Sequence, residues 1–151
     1  MKKLYIIILT ALLLAGCDIA TAEEQRKWEA VIAHISDSTH MTKEECNDWH
    51  KERGWDSCGY NFVIEPDGTV YEGRGINKVG AHVKGFNSKF LGICFVSEDK
   101  ATEEQLQSFV KLLNQYDIIL PIYPHALFNS KKVCGLEVIK QLKGRVKLVV
   151  G

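Results

Sequence analysis

Hydrophobic and polar positions along this chain switch between a strand period and a helix period, with turn residues at the changes. After an apolar run from Leu4 to Leu14, the segment WEAVIAHI from Trp28 to Ile35 is almost continuously apolar and predicts a buried strand with His34 near its end. Thr42 followed by Glu45 forms a capping box, and Cys46, Trp49, His50 and Arg53 then recur at i, i+3, i+4 and i+7 before Gly54, which predicts a helix over residues 43–53. Two short strands follow, Tyr60 to Glu65 and Thr69 to Glu72, joined by the turn residues Pro66, Asp67 and Gly68. Leu91 to Val96 predicts a fully apolar strand with Cys94 inside it. A second capping box, Thr102 with Gln105, opens a helix whose apolar face carries Leu106, Phe109, Val110, Leu113 and Tyr116. Ile118 to Ile122 predicts another strand, ended by Pro124, and HALFNSKKVC a loop; Leu136, Ile139 and Leu142 predict a short helix, and Val146 to Val150 a terminal strand. Strands alternating with helices imply an α/β sheet layered with helices.

Composition adds a location and removes some partners. Of the 151 residues, 46% are hydrophobic and 25% charged, which fits one compact domain, expected as a monomer. Lys2 and Lys3 ahead of the Leu4 to Leu14 run have the form of an export signal, too short to span a bilayer permanently. Residues 1–16 are therefore set apart from the fold, residues 17–27 are taken as a tether, and residues 28–151 as the folded domain. Leu14-Ala15-Gly16-Cys17 resembles the lipobox of bacterial lipoproteins, with Cys17 acylated. That implies an exported, periplasmic protein with a lipid anchor in a membrane, and Asp18 would favour the inner membrane of a Gram-negative cell. Cleavage after Ala20-Thr21-Ala22, with no anchor, is the other reading. Without residues 1–16 the chain has 17 basic and 19 acidic residues, a formal balance of −2, which gives a nucleic-acid partner no electrostatic support.

Cys46, Cys58, Cys94 and Cys134 remain, and outside the cytoplasm an even number allows disulfides. Cys94 fits a small buried apolar residue, whereas Cys46 and Cys58 pair only if the loop after Gly54 doubles back over the helix. Catalytic zinc takes three protein ligands from His, Cys and carboxylates and leaves a fourth position open. His34 at a strand end, with His125 and Cys134 in one loop, could make such a set if neighbouring strands bring them together. On spacing alone this triple has low specificity, because the five histidines allow many others.

A longer pattern is more specific. GYNFVIEPDGTVYEGRGINKVGAH, followed by GFN and LGICFV, resembles the core signature of peptidoglycan recognition proteins and of bacteriophage lysozyme-type N-acetylmuramoyl-L-alanine amidases. The resemblance runs from Ile32 through Cys134. It implies a single domain with a central mixed sheet flanked by helices, Zn2+ as cofactor, and peptidoglycan or muropeptides as partners. The implied activity is hydrolysis of the amide between N-acetylmuramic acid and L-alanine. Carried over by position, it implies His34, His125 and Cys134 as metal ligands, Tyr60 and Lys132 as catalytic residues, and His82 as a substrate-groove residue. His40 and His50 match no ligand position and are expected on the surface or in helix packing. Many relatives carry Arg-Asp after the second histidine and Pro after the cysteine, where this chain has Ala126, Leu127 and Gly135.

Two other chemistries fit some of these residues. One is a non-catalytic muropeptide-binding module; the resemblance implies that such relatives typically replace the cysteine, which is present here as Cys134. The other uses Cys134 as a nucleophile with His125 or His34 as base. It would survive a chelator and be lost to a thiol-alkylating reagent.

Overall fold

The computed structural model describes residues 24–129 and 133–146. The elements in chain order are β1 (Ala30–Ile35), α1 (Lys43–Glu52), β2 (Phe62–Ile64), β3 (Val70–Glu72), β4 (Phe90–Phe95), α2 (Glu103–Gln115), β5 (Ile122–Pro124), a 3-10 turn (His125–Leu127) and α3 (Leu136–Leu142). They build one sheet in the order β3-β2-β4-β1-β5. β1 is parallel to both β4 and β5, β2 is parallel to β4, and β3 is antiparallel to β2, so the sheet is mixed, as expected.

Strand alternation sorts the side chains between two layers. Val31, Ala33, Leu91, Ile93, Phe95, Phe62 and Ile64 join the main core under α2 and α3, which contribute Leu106, Phe109, Leu113, Val138 and Leu142. Val63, Cys94 and Val96 face the other way and form a smaller core with Cys46 of α1, Cys58 and Met41. His34 lies opposite Cys94 in the β1–β4 ladder, so it belongs to the α1 side of the sheet.

Both capping boxes are present. Thr42 and Glu45 cap α1, and Thr102 and Gln105 cap α2. Gln105 does more than cap. It is fully buried, its Oε1 accepts from the Thr102 backbone N–H at 2.9 Å, and its Nε2 donates to the carbonyls of Ile64 at 2.8 Å and Val96 at 3.1 Å. One side chain thereby ties the start of α2 to the ends of β2 and β4.

Several boundaries differ from the sequence expectation. β1 begins at Ala30, although Trp28 is buried and donates its indole N–H to the Ile76 carbonyl. The hairpin strands are shorter than expected, and Tyr60 precedes β2. The turn at Pro66, Asp67 and Gly68 is as expected, with Gly68 at φ 85°. The last strand is displaced from Ile118–Ile122 to Ile122–Pro124 because only that stretch meets β1, while Ile119 is 79% exposed. The loop after Pro124 opens as a 3-10 turn. Within residues 17–27, taken as tether, Gln25 and Arg26 are docked: Gln25 donates to the Tyr116 carbonyl, and Arg26 donates to the Ser88 carbonyl and packs over Trp28. Val146 makes an isolated bridge with Lys143, and the rest of the expected terminal strand lies outside the described residues, as do the export segment and Cys17.

Replacing the buried amide should loosen this tie without emptying the core. Gln105→Leu is expected to lower the unfolding free energy by about 1–3 kcal/mol, because strand-end carbonyls lose their donor in a dry site. Denaturant titration checks this, with the midpoint falling and the slope unchanged.

Candidate active site

The three predicted metal ligands arrive from separate segments. His34 comes from the C-terminal end of β1, His125 directly follows β5, and Cys134 precedes α3. Parallel pairing of β5 with β1 sets the two histidines side by side, their ring centroids 4.4 Å apart. Cys134 is held by the backbone. Its sulfur accepts the Ile35 N–H at 3.2 Å, and its carbonyl accepts the Ala126 N–H at 3.0 Å, which joins the cysteine to the His125 turn. Gly135 makes this approach feasible. It has φ 82°, a region proline cannot enter, and a Cβ on it would lie 2.3 Å from the Ala33 carbonyl oxygen. The glycine that departs from the family pattern is therefore the residue that lets this loop rest on β1.

One nitrogen or sulfur from each of His34, His125 and Cys134 lies within 4.8 Å of the others. His34 and Cys134 are buried and His125 is half-buried at the edge of a cavity of about 420 Å³. Two imidazoles and a sulfur, converging from rigid elements on an open cavity, fit the donor set that holds a catalytic zinc ion.

Tyr60 lines the same cavity, its ring 5.1 Å from that of His34 and 5.3 Å from that of His50. Burial, reinforced by the nearby Cys94 and Cys134 sulfurs, pushes its phenol well above the ordinary value. Tyr60 is thus a neutral O–H donor at any physiological pH. Burial likewise pushes the Cys94 thiol up, consistent with an inert packing residue.

The segment that carries Tyr60 is fastened on both sides. Cys46 and Cys58 form a disulfide between α1 and the stretch before Tyr60, settling a pairing that the sequence left open. Beside it the Cys58 N–H donates to Asn47 Oδ1 and the Gly59 N–H donates to His50 Nδ1 at 2.7 Å. On the other side, buried Asn61 donates to the Gly75 and Lys78 carbonyls and accepts the Gly92 N–H. The Gly-Tyr-Asn that opens the hairpin is an anchor for the tyrosine.

His50, expected on the surface or in helix packing, is 5% exposed, packs on Trp55 and Tyr60, and lines the cavity. Its position on the Cys46 face of α1 was visible in the helix period; its contact with Tyr60 was not, because that depends on where the loop after α1 returns. Burial, then the Arg53 and Arg74 cations, lower its pKa to about 4. His82 is also buried, behind His34, with its pKa lowered to about 4 chiefly by burial. His40 is on the surface beside Glu45, as expected, and Lys132 lies outside the described residues.

Residues 24–134 match the family described as N-acetylmuramoyl-L-alanine amidase. The endolysin of Enterobacteria phage K11 is 54% identical over 94 residues, covering 57% of this chain and 60% of that protein. Among solved structures, the N-acetylmuramoyl-L-alanine amidase LysC from Clostridium intestinale URNW superimposes with a TM-score of 0.66 at 29% identity, over 83% of this chain and 95% of LysC. Peptidoglycan recognition protein-LE, solved in complex with tracheal cytotoxin, a monomeric diaminopimelic acid-type peptidoglycan, superimposes with a TM-score of 0.69 at 25% identity, over 83% of this chain and 85% of its own.

The disulfide and His50 make two measurable claims. Closing a loop of this length contributes about 3 kcal/mol, so a Cys46→Ala, Cys58→Ala double variant should lose about that much in chemical denaturation. His50 should titrate near pH 4 by NMR. Because its pKa is lower folded than unfolded, the unfolded chain binds more protons between about pH 6.5 and 4. The stability this group contributes is full above that window and falls as pH drops through it, and replacing His50 with Gln should flatten that part of the profile.

Proposed function

Since the chain belongs to the N-acetylmuramoyl-L-alanine amidase family, with the match spanning residues 24–134, we propose that it hydrolyses the bond between N-acetylmuramic acid and the L-alanine of peptidoglycan stem peptides, using zinc held by His34, His125 and Cys134. The observation that carries this reading is the convergence of those three donors at the edge of an open cavity, within 4.8 Å of one another.

A bound zinc ion supplies Lewis-acid polarisation of an amide carbonyl and lowers the pKa of a water molecule. The surrounding residues complete the chemistry. Neutral His34 and His125 with one sulfur leave the centre a net positive charge when loaded, which favours negative charge on the substrate carbonyl oxygen. Tyr60, kept protonated by burial, donates a hydrogen bond to that oxygen as its charge develops. Lys132 is assigned the same task by the family resemblance. The β1–α1 connection and the Trp55 face wall the cavity.

Muropeptides are the substrate class that the relatives support, including the recognition protein solved with a peptidoglycan fragment. We also infer that the protein works outside the cytoplasm. The Cys46–Cys58 disulfide supports this, since such bonds persist in oxidising compartments, and so does the export-type segment ending at Cys17, the proposed site of a lipid anchor.

Mass spectrometry of muropeptides incubated with the purified domain tests the reaction. A free stem peptide beginning at L-alanine should appear, disappear with a chelator and return with zinc. Activity that survives chelation but not thiol alkylation would point to a cysteine nucleophile; binding without cleavage would make this a recognition module. Cys134→Ala should abolish zinc binding and turnover together. Tyr60→Phe should retain zinc and lose roughly 10²- to 10³-fold in turnover, the scale set by removing one oxyanion donor.

A further inference from the structure

His82 is held in a way that groove lining does not require. Its ring sits where a side chain on either of two glycines would be: a Cβ on Gly92 would lie 2.5–2.7 Å from the ring atoms Cδ2, Cγ and Nε2, and one on Gly80 would lie 2.5 Å from Cδ2. Gly92 is inside buried β4, where glycine weakens a strand and marks a close approach. What approaches is this imidazole.

Both ring nitrogens are engaged. Nε2 is 3.0 Å from the Phe90 carbonyl oxygen. A carbonyl only accepts, so Nε2 carries the proton. In the neutral buried ring Nδ1 then holds the lone pair. That nitrogen is 3.0 Å from Nε2 of His34, which must therefore be the donor. An imidazole protonated on Nε2 carries its lone pair on Nδ1.

We propose that His82 is a positioning residue: seated in the Gly80–Gly92 slot and oriented by the Phe90 carbonyl, it selects the Nε2–H tautomer of His34 and so makes Nδ1 the atom His34 offers to the metal. The inference rests on the reading of His34 as a zinc ligand. Metal-bound histidines depend on such partners, and losing one costs about 10- to 100-fold in metal affinity. The slot adds a distinct consequence: Gly92→Ala, which touches no ligand, should displace the His82 ring and reproduce its loss.

Two measurements on the domain test this. Long-range 1H–15N NMR of histidine rings in the metal-free wild type should find His34 protonated on Nε2. This needs no variant, so it decides even if a substitution fails to fold. Zinc titration against a competing chelator should then show about 10- to 100-fold weaker binding for His82→Ala and Gly92→Ala. His82→Asn, whose Oδ1 keeps an acceptor near the place of Nδ1, should recover most of the affinity. A merely structural role would not predict that rescue. His34 protonated on Nδ1, or wild-type zinc affinity in a folded His82→Ala, would overturn the inference while leaving the zinc reading intact. A wild-type domain with the expected tautomer that binds no zinc would instead overturn the metal reading on which it rests.

Discussion

The parallel pairing of β1 with strands on both sides is the constraint from which the rest of the site follows. β4 and β5 run in the same direction as β1, so three strand ends open on one edge of the sheet, the usual place for a site in an open parallel sheet. His34 lies one residue before the end of β1, His125 follows β5, and the Ile35 N–H at that edge donates to the sulfur of Cys134. Strand alternation then turns His34 away from the main core and toward α1, where Tyr60 and His82 are found. A slip of one residue in the β1–β4 register would send His34 into the apolar core and bury Ala33 or Ile35 in its place.

The rim of this cavity carries Asp37, Arg53 and Glu98, while the groups beneath them are neutral. Burial holds His50 and His82 uncharged and Tyr60 protonated. Burial demands that polar atoms be placed, which explains the density of backbone contacts to Asn61, His50 and His82. The disulfide secures the α1 wall covalently, so that Tyr60 is positioned by the scaffold and not by its own loop.

Departures from the family pattern take on physical meaning here. Gly135 replaces the usual proline, and its left-handed backbone against the Ala33 carbonyl is a conformation closed to proline. At Ala126 the backbone takes part, its N–H donating to the Cys134 carbonyl.

The linear pattern determined a good deal by itself. Two capping boxes, the apolar strands and the Pro-Asp-Gly turn are local, since each depends on residues within a few positions of one another, and they were readable in sequence. His34, His125 and Cys134 were singled out by a long ordered resemblance and not by spacing, and the fold brings them together. Which part of Ile118–Pro124 is strand could not be read, because that is decided by the length of its ladder with β1. The same holds for the place of Tyr60 just outside the hairpin, for the Cys46–Cys58 pairing, and for His50 behind the tyrosine, each of which depends on a loop returning over α1. His82 is the clearest case. Its sequence neighbours mark a turn, while its role is set by a carbonyl eight residues on, a glycine in a different strand and a histidine 48 residues earlier. Only the folded sheet brings those three groups within hydrogen-bonding and van der Waals reach.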